Sequence, residues 1–270
     1  MFPFVRHISE TYPTIWAMGV LCIAMGIYSS FVMETYTNVL YATICAACFV
    51  SVCAYFTRSK ISIHFTGIAM TIGIMLGIIA ITSSIRWFFA DPTFCGYPAS
   101  PTISDPPFRI VAVIAMVIAT GMFEECLFRG VIQESFERAY RRKGTATVTV
   151  KTILTVSLLF AILHIGDIDP STMGIITYPI AMIATKVITA FAFSIVMGHI
   201  YASTHSLMIS ICVHAIYDFI DAAPSLQCQG QAFLGGYVWT GVGTITSLAL
   251  AVAMSLLACY CLKKLWNETL

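Results

Sequence analysis

Glu124 and Glu125 stand side by side in an apolar stretch, and Arg129 follows the second of them at a spacing of four residues. On a helix Glu125 and Arg129 share a face and can pair, which offsets part of the burial cost of each. Glu124 then points about 100° away, toward a different wall. Two further pairs at the same spacing lie downstream, Phe160 with His164 and His214 with Asp218. Burial makes a carboxyl group hold its proton more tightly, which suits a glutamate in a partly dry cavity to general base and acid work. Two histidines can orient a water or donate hydrogen bonds to a developing oxyanion. The set therefore suits hydrolysis of an amide. Covalent catalysis is disfavoured, because Cys126, although next to the glutamates, points away from Glu124 on a helix. Glu and His are also zinc ligands, so Glu124, His164 and His214 are the candidate ligands if the cofactor is a divalent metal; HExxH is absent, and those ligands must come from three helices.

The elements that must position these groups are transmembrane helices. The 270 residues are 59% hydrophobic and 10% charged, with a mean hydropathy of +0.88, and contain apolar runs long enough to cross a bilayer core of about 30 Å. The expected fold is all-α, a polytopic bundle of about eight spans: 15–33, 39–56, 64–85, 108–128 with a polar continuation to 140, 148–165, 173–201, 207–220 and 234–262. The continuation of the fourth span reads as amphipathic and emerging along the cytoplasmic surface. With the N-terminus inside, Arg6, Arg58, Lys60, Arg138, Arg141, Arg142, Lys143, Lys151, Lys263 and Lys264 fall on the cytoplasmic face. Only Arg86 and Arg109 fall opposite, with Glu34, Asp91, Asp105, Asp167, Asp169 and Asp221. Both termini are thus expected to be cytoplasmic, with the first span retained rather than cleaved as a signal.

A net charge of +1 with no basic face points away from nucleic acid, and Arg141–Arg142–Lys143 reads as a topology anchor near anionic lipid. Most of the ten cysteines lie within spans and behave as small apolar residues. Cys45 and Cys48 form a CxxC there. Cys95 and Cys228 fall in the two longest outward loops and are the disulfide candidates. His64, His199 and His205 sit near span ends, where an interfacial role is the simplest reading. Lys186 admits a bend, a snorkelling side chain or a partner for Asp218.

Depth ties the motifs together. Glu124 lies 15 residues from Arg109 and 14 from Arg138, or roughly 20 Å of helix from each, and His164 and His214 sit at similar central depths of their own spans. Ionisable groups placed so deep usually serve a function.

The ordered triple of Glu124-Glu125-Cys126-Leu127-Phe128-Arg129, Phe160-Ala161-Ile162-Leu163-His164 and His214-Ala215-Ile216-Tyr217-Asp218 resembles the CAAX protease and bacteriocin-processing family of intramembrane proteases, whose pattern is EExxxR, FxxxH and HxxxN or HxxxD. The resemblance covers about 120–219. It implies a glutamate-dependent endopeptidase in which Glu124 activates a water with help from His164. His214 and Asp218 line the oxyanion side, and Glu125, Arg129 and Phe160 support the site. Asn is the commoner residue at the Asp218 position, so Asp218 either orients His214 or is protonated. The implied organisation is N-terminal helices over 1–107, a catalytic core over 108–222 and a C-terminal helix and tail over 223–270. The implied partner is a peptide or membrane-anchored protein, prenylated or not, in a lipid bilayer. The competing reading is a non-enzymatic membrane protein, either an immunity or scaffold factor or a proton-coupled carrier.

Overall fold

A computed structural model describes residues 2–30, 36–57, 68–89, 106–143, 147–165, 179–223 and 241–269. Every regular element among them is helical: α1 (Phe2–Thr11), α2 (Pro13–Ser29), α3 (Tyr36–Phe56), α4 (Ala69–Phe89), α5 (Pro106–Glu125), a π-helical segment (Cys126–Gln133), α6 (Glu134–Arg142), α7 (Val148–Leu163), α8 (Pro179–Thr204), α9 (Leu207–Ala222) and α10 (Gly241–Thr269). The chain is an all-α, polytopic integral membrane protein.

Each of the eight expected spans contains a helix, but length divides them. Five helical stretches are long and apolar enough to cross a bilayer: Asn38–Phe56, Ala69–Phe89, Ile110–Arg142, Ile183–Thr204 and Ile245–Asn267. A sixth is added if Phe4–Thr11 and Pro13–Ser29, which meet at a bend of 115°, count together. Both α7 and α9 have 16 residues, about 24 Å of helix, short of the hydrocarbon thickness. α7 packs on α8 and α9 on α5, and each keeps an exposed apolar side, with Leu158 on α7 and Ile216 on α9. The short α1 went unread because its polar residues hide it from a hydropathy scan; Pro13 opens α2 in the first helical turn, a position that Pro tolerates.

In lipid, helix association depends on close packing rather than on water exclusion, so small residues gather at crossings. Ala17 and Ala24 of α2 and Ala46 and Ala47 of α3 belong to the buried core. Gly121 shows such an approach: a Cβ there would lie 3.1 Å from the Ile211 carbonyl oxygen and 3.5 Å from the Ala215 Cβ. The absence of that carbon lets α9 close on α5 one turn from Glu124 and Glu125. Exposed apolar side chains such as Ile15, Val111, Leu158 and Leu256 form the outer surface, as a lipid-facing surface requires.

Several charges occupy places not evident from hydropathy. Arg138 of α6 donates to the Thr57 carbonyl at 2.5 Å and to the Ser9 carbonyl at 3.3 Å. Arg142 donates to the carbonyls of Thr11, at 3.0 Å, and Glu10. Both guanidinium groups therefore satisfy carbonyls at helix C-termini, where a positive charge also meets the negative end of the helix dipole. His199, expected near a span end, is instead fully buried, because α8 continues past it to Thr204. His205 does lie at a helix end, in the left-handed region (φ 48°) between α8 and α9. Cys45 and Cys48 are free thiols on the exposed side of α3. The disulfide candidates Cys95 and Cys228 lie outside the described residues, as does His64.

Candidate active site

The polar centre is built on α5, the π-helical segment, α8 and α9. Glu125 closes α5, and all eight residues after it adopt π-helical geometry and are buried. A π-helix is rare and is found disproportionately at functional sites. Its widened turn shifts carbonyls off the usual ladder, and the Gly130 carbonyl accepts a hydrogen bond from the Thr57 hydroxyl at 2.7 Å. Gly130 was the only break visible in this stretch of sequence, and nothing in the sequence announces a π-helix.

Glu125 and Arg129 pair as their spacing predicts, Nε to Oε2 at 3.2 Å, with both side chains 0% exposed. The guanidinium also donates from Nη2 to the Ser194 hydroxyl of α8 at 3.1 Å, a partner that no motif reveals. The second Glu125 oxygen is engaged as well. His214 donates from Nδ1 to Glu125 Oε1 at 2.8 Å, so one carboxylate bridges an arginine on its own helix and a histidine on α9. A carboxylate hydrogen bond at one ring nitrogen fixes the ring orientation.

That arrangement leaves His214 Nε2 facing two other carboxylates. Glu124 Oε2 lies 3.6 Å from it and Asp218 Oδ2 3.4 Å. Exposure separates the members of the cluster: His214 is 3% exposed, but Glu124 is 17% and Asp218 28%. The two sealed carboxylate oxygens of Glu125 thus serve fixed partners, and the accessible carboxylates are those of Glu124 and Asp218. The roughly 100° between neighbouring helical residues produces this division.

His164 is placed differently. It caps the C-terminus of α7, and its Nδ1 lies 2.8 Å from the Phe160 carbonyl. A carbonyl only accepts, so Nδ1 carries the hydrogen and Nε2 of the neutral ring is an acceptor. The His164 ring lies 4.3 Å from that of Phe160, which meets Phe128 edge-on at 4.8 Å and Phe193 at 6.1 Å. Phe193 in turn packs 4.7 Å from both His214 and Tyr217. Of the residues singled out in the sequence, Glu124, Glu125, Arg129, His214 and Asp218 meet through polar contacts, and Phe160 and His164 join them through an aromatic wall. His214, one turn before Asp218, stands as its basic partner in this network.

Among the described residues no group of three or more His, Cys, Asp or Glu side chains is arranged to hold a metal ion.

Comparison with known proteins adds an independent line. No curated protein matches the chain. Residues 106–220, which hold the Glu124–Glu125 pair, Arg129, the aromatic wall, His214 and Asp218, match the family model described as Type II CAAX prenyl endopeptidase Rce1-like. Residues 106–220 are therefore similar to a type II CAAX prenyl endopeptidase domain.

Proposed function

We propose that this protein is an intramembrane endopeptidase in which Glu124 activates the hydrolytic water. The observation that carries this reading is the unequal state of the two glutamates: Glu125 is closed off by Arg129 and His214, and Glu124 keeps an accessible oxygen beside His214 Nε2. A general base must be open to the water that it deprotonates.

In the proposed reaction Glu124 takes a proton from water as the water oxygen attacks the scissile carbonyl carbon. The carbonyl electron pair moves onto oxygen, and His214, whose two ring nitrogens both face carboxylates and both carry hydrogen in the imidazolium form, donates to that oxyanion from Nε2. Glu124 then returns its proton to the amine nitrogen as the C–N bond breaks, which releases a carboxylic acid and an amine that ionise in water. His164 offers an acceptor nitrogen on the opposite wall and assists in orienting the water. Asp218, one helical turn from His214, holds the ring from the side that Glu125 does not reach. Glu125 and Arg129 are positioning residues: they fix the orientation of the His214 ring and lock α5 to α8 and α9. No ionised Asp can donate a hydrogen bond, so the donor to the oxyanion is His214 rather than Asp218.

The substrate class is the C-terminal segment of a prenylated CAAX protein, in keeping with the matched domain; bacteriocin precursors, peptide pheromones and membrane-anchored regulators are the alternatives to screen beside it. The proposed topology places both termini in the cytoplasm, supported by the excess of Lys and Arg on that face. The test is incubation of the purified protein, reconstituted in lipid, with a farnesylated CAAX peptide and mass spectrometry of the products. Release of the terminal tripeptide by the wild type and not by Glu124→Gln supports the reading. Equal release by both discards Glu124 as the base, and cleavage of none of the four substrate classes favours a non-enzymatic membrane protein.

A further inference from the structure

Arg86 is the one arginine expected on the outer face that the structure describes in full, and it is buried. From the C-terminal turn of α4 its Nη1 reaches Asp221 Oδ1 at 2.7 Å, its Nε the Thr246 hydroxyl at 3.1 Å and its Nη2 the Ser247 hydroxyl at 3.3 Å. The side chain is 5% exposed. One guanidinium thus joins α4 to α9 and α10. Both Arg86 and Asp221 lie outside the matched segment 106–220.

The position of Asp221 on α9 gives this knot its interest. His214, Asp218 and Asp221 follow at intervals of four and three residues, so they form one stripe along the helix. The stripe begins at the Glu125 hydrogen bond and ends at Arg86. Asp218 and Asp221 act on each other electrostatically, as two carboxylates one turn apart must. With Asp221 paired to Arg86, the negative charge one turn beyond Asp218 is balanced from α4. Glu124 and Glu125 from α5 and Arg86 from α4 face this part of α9, with Arg129 behind Glu125. α9 is a short helix held at two points, the Gly121 crossing near one end and the Arg86 knot near the other.

We infer that Arg86 is a positioning residue of the active site, acting through Asp221 to set the charge and orientation of the Asp218–His214 pair. This rests on the proposed role of His214, and its test includes a readout that needs no activity. In the full-length protein labelled with 15N-histidine and reconstituted in lipid, solid-state NMR reports the His214 ring nitrogens, identified by their loss in His214→Gln. Arg86→Gln is expected to move both His214 signals, and the paired change Arg86→Gln with Asp221→Asn, which removes both charges together, to move them back toward the wild type. On a cleaved substrate, Arg86→Gln is expected to lower kcat on the order of ten- to a hundredfold with KM nearly unchanged, the signature of a misplaced catalytic group. Arg86→Lys, which keeps the charge but not the fork of donors, recovers part of that loss.

His214 signals that stay in place in a folded Arg86→Gln protein would overturn the inference, whatever the activity. So would an equal loss in Arg86→Gln and in the paired variant, which is the behaviour of a simple helix staple. If wild-type protein cleaves nothing, the proposed reaction fails, and the NMR comparison still decides whether Arg86 controls His214. If Arg86→Gln does not fold, the Arg86→Lys and paired variants carry the same comparison.

Discussion

The π-helical segment and α6 are consecutive in the chain, and both are organised by arginines, yet the arginines do opposite work. Arg129, within the π-helix, is sealed away with a carboxylate and a hydroxyl. Arg138 and Arg142, a few turns later, lie against backbone carbonyls at the ends of α1 and α3, and Arg141 is exposed beside Glu137. The difference lies in what happens when each charge is removed. A sealed partner is left as an uncompensated buried ion, a carbonyl at a helix end can turn to water, and an exposed guanidinium was solvated throughout.

Ranked by effect, the first way to break this comparison is Arg129→Ala. It strands Glu125 and should destabilise the protein by about 3–5 kcal/mol, read as a large fall in thermal unfolding temperature in detergent; a fall no greater than that of Arg141→Ala would dissolve the distinction. Next comes Gly121→Val. A branched side chain against the Ile211 carbonyl at a 3.1 Å Cβ approach forces α9 away from α5, with an expected cost of about 1–3 kcal/mol. Because this separation parts His214 from Glu125, activity should fall further than stability alone explains.

Arg138→Ala is expected to cost about 1–2 kcal/mol, since it removes charge-assisted hydrogen bonds from partly buried carbonyls. Faster proteolysis within α1 is the accompanying readout, because Ser9 and Thr57 lose their common donor. Arg141→Ala should be the smallest, within about 0.5 kcal/mol, as the Arg141 side of its pair with Glu137 is exposed. That effect should vanish at high salt, whereas the Arg129 effect should persist.

These contrasts also mark what can be read from sequence. The Glu125–Arg129 pair and the His214–Asp218 face follow from helical spacing, and the depth of Glu124 follows from its distance to flanking charges. The apolar runs locate eight helices, but their ends are set by caps and crossings: Ser206 caps α9 through Ile209, and α8 runs to Thr204, which places His199 inside. Ser194 carries no motif, because a serine in an apolar helix looks the same whether or not a guanidinium reaches it. The π-helix and the bridging of Arg129 and His214 by Glu125 depend on how α9 is seated against α5, a tertiary fact. Arg86 was legible as a charge near a span end, but not as the anchor of a helix more than a hundred residues away.

The central claim is that two adjacent glutamates hold different offices, and one paired measurement reaches it directly. Glu124→Gln and Glu125→Gln, each purified in the same detergent, are compared for thermal unfolding and for cleavage of a peptide that the wild type cuts. The account predicts that Glu124→Gln unfolds close to the wild-type temperature and cleaves nothing, while Glu125→Gln, which leaves Arg129 without its carboxylate, unfolds well below it and retains residual cleavage when folded. A stable, inactive Glu125→Gln beside an active Glu124→Gln would contradict it.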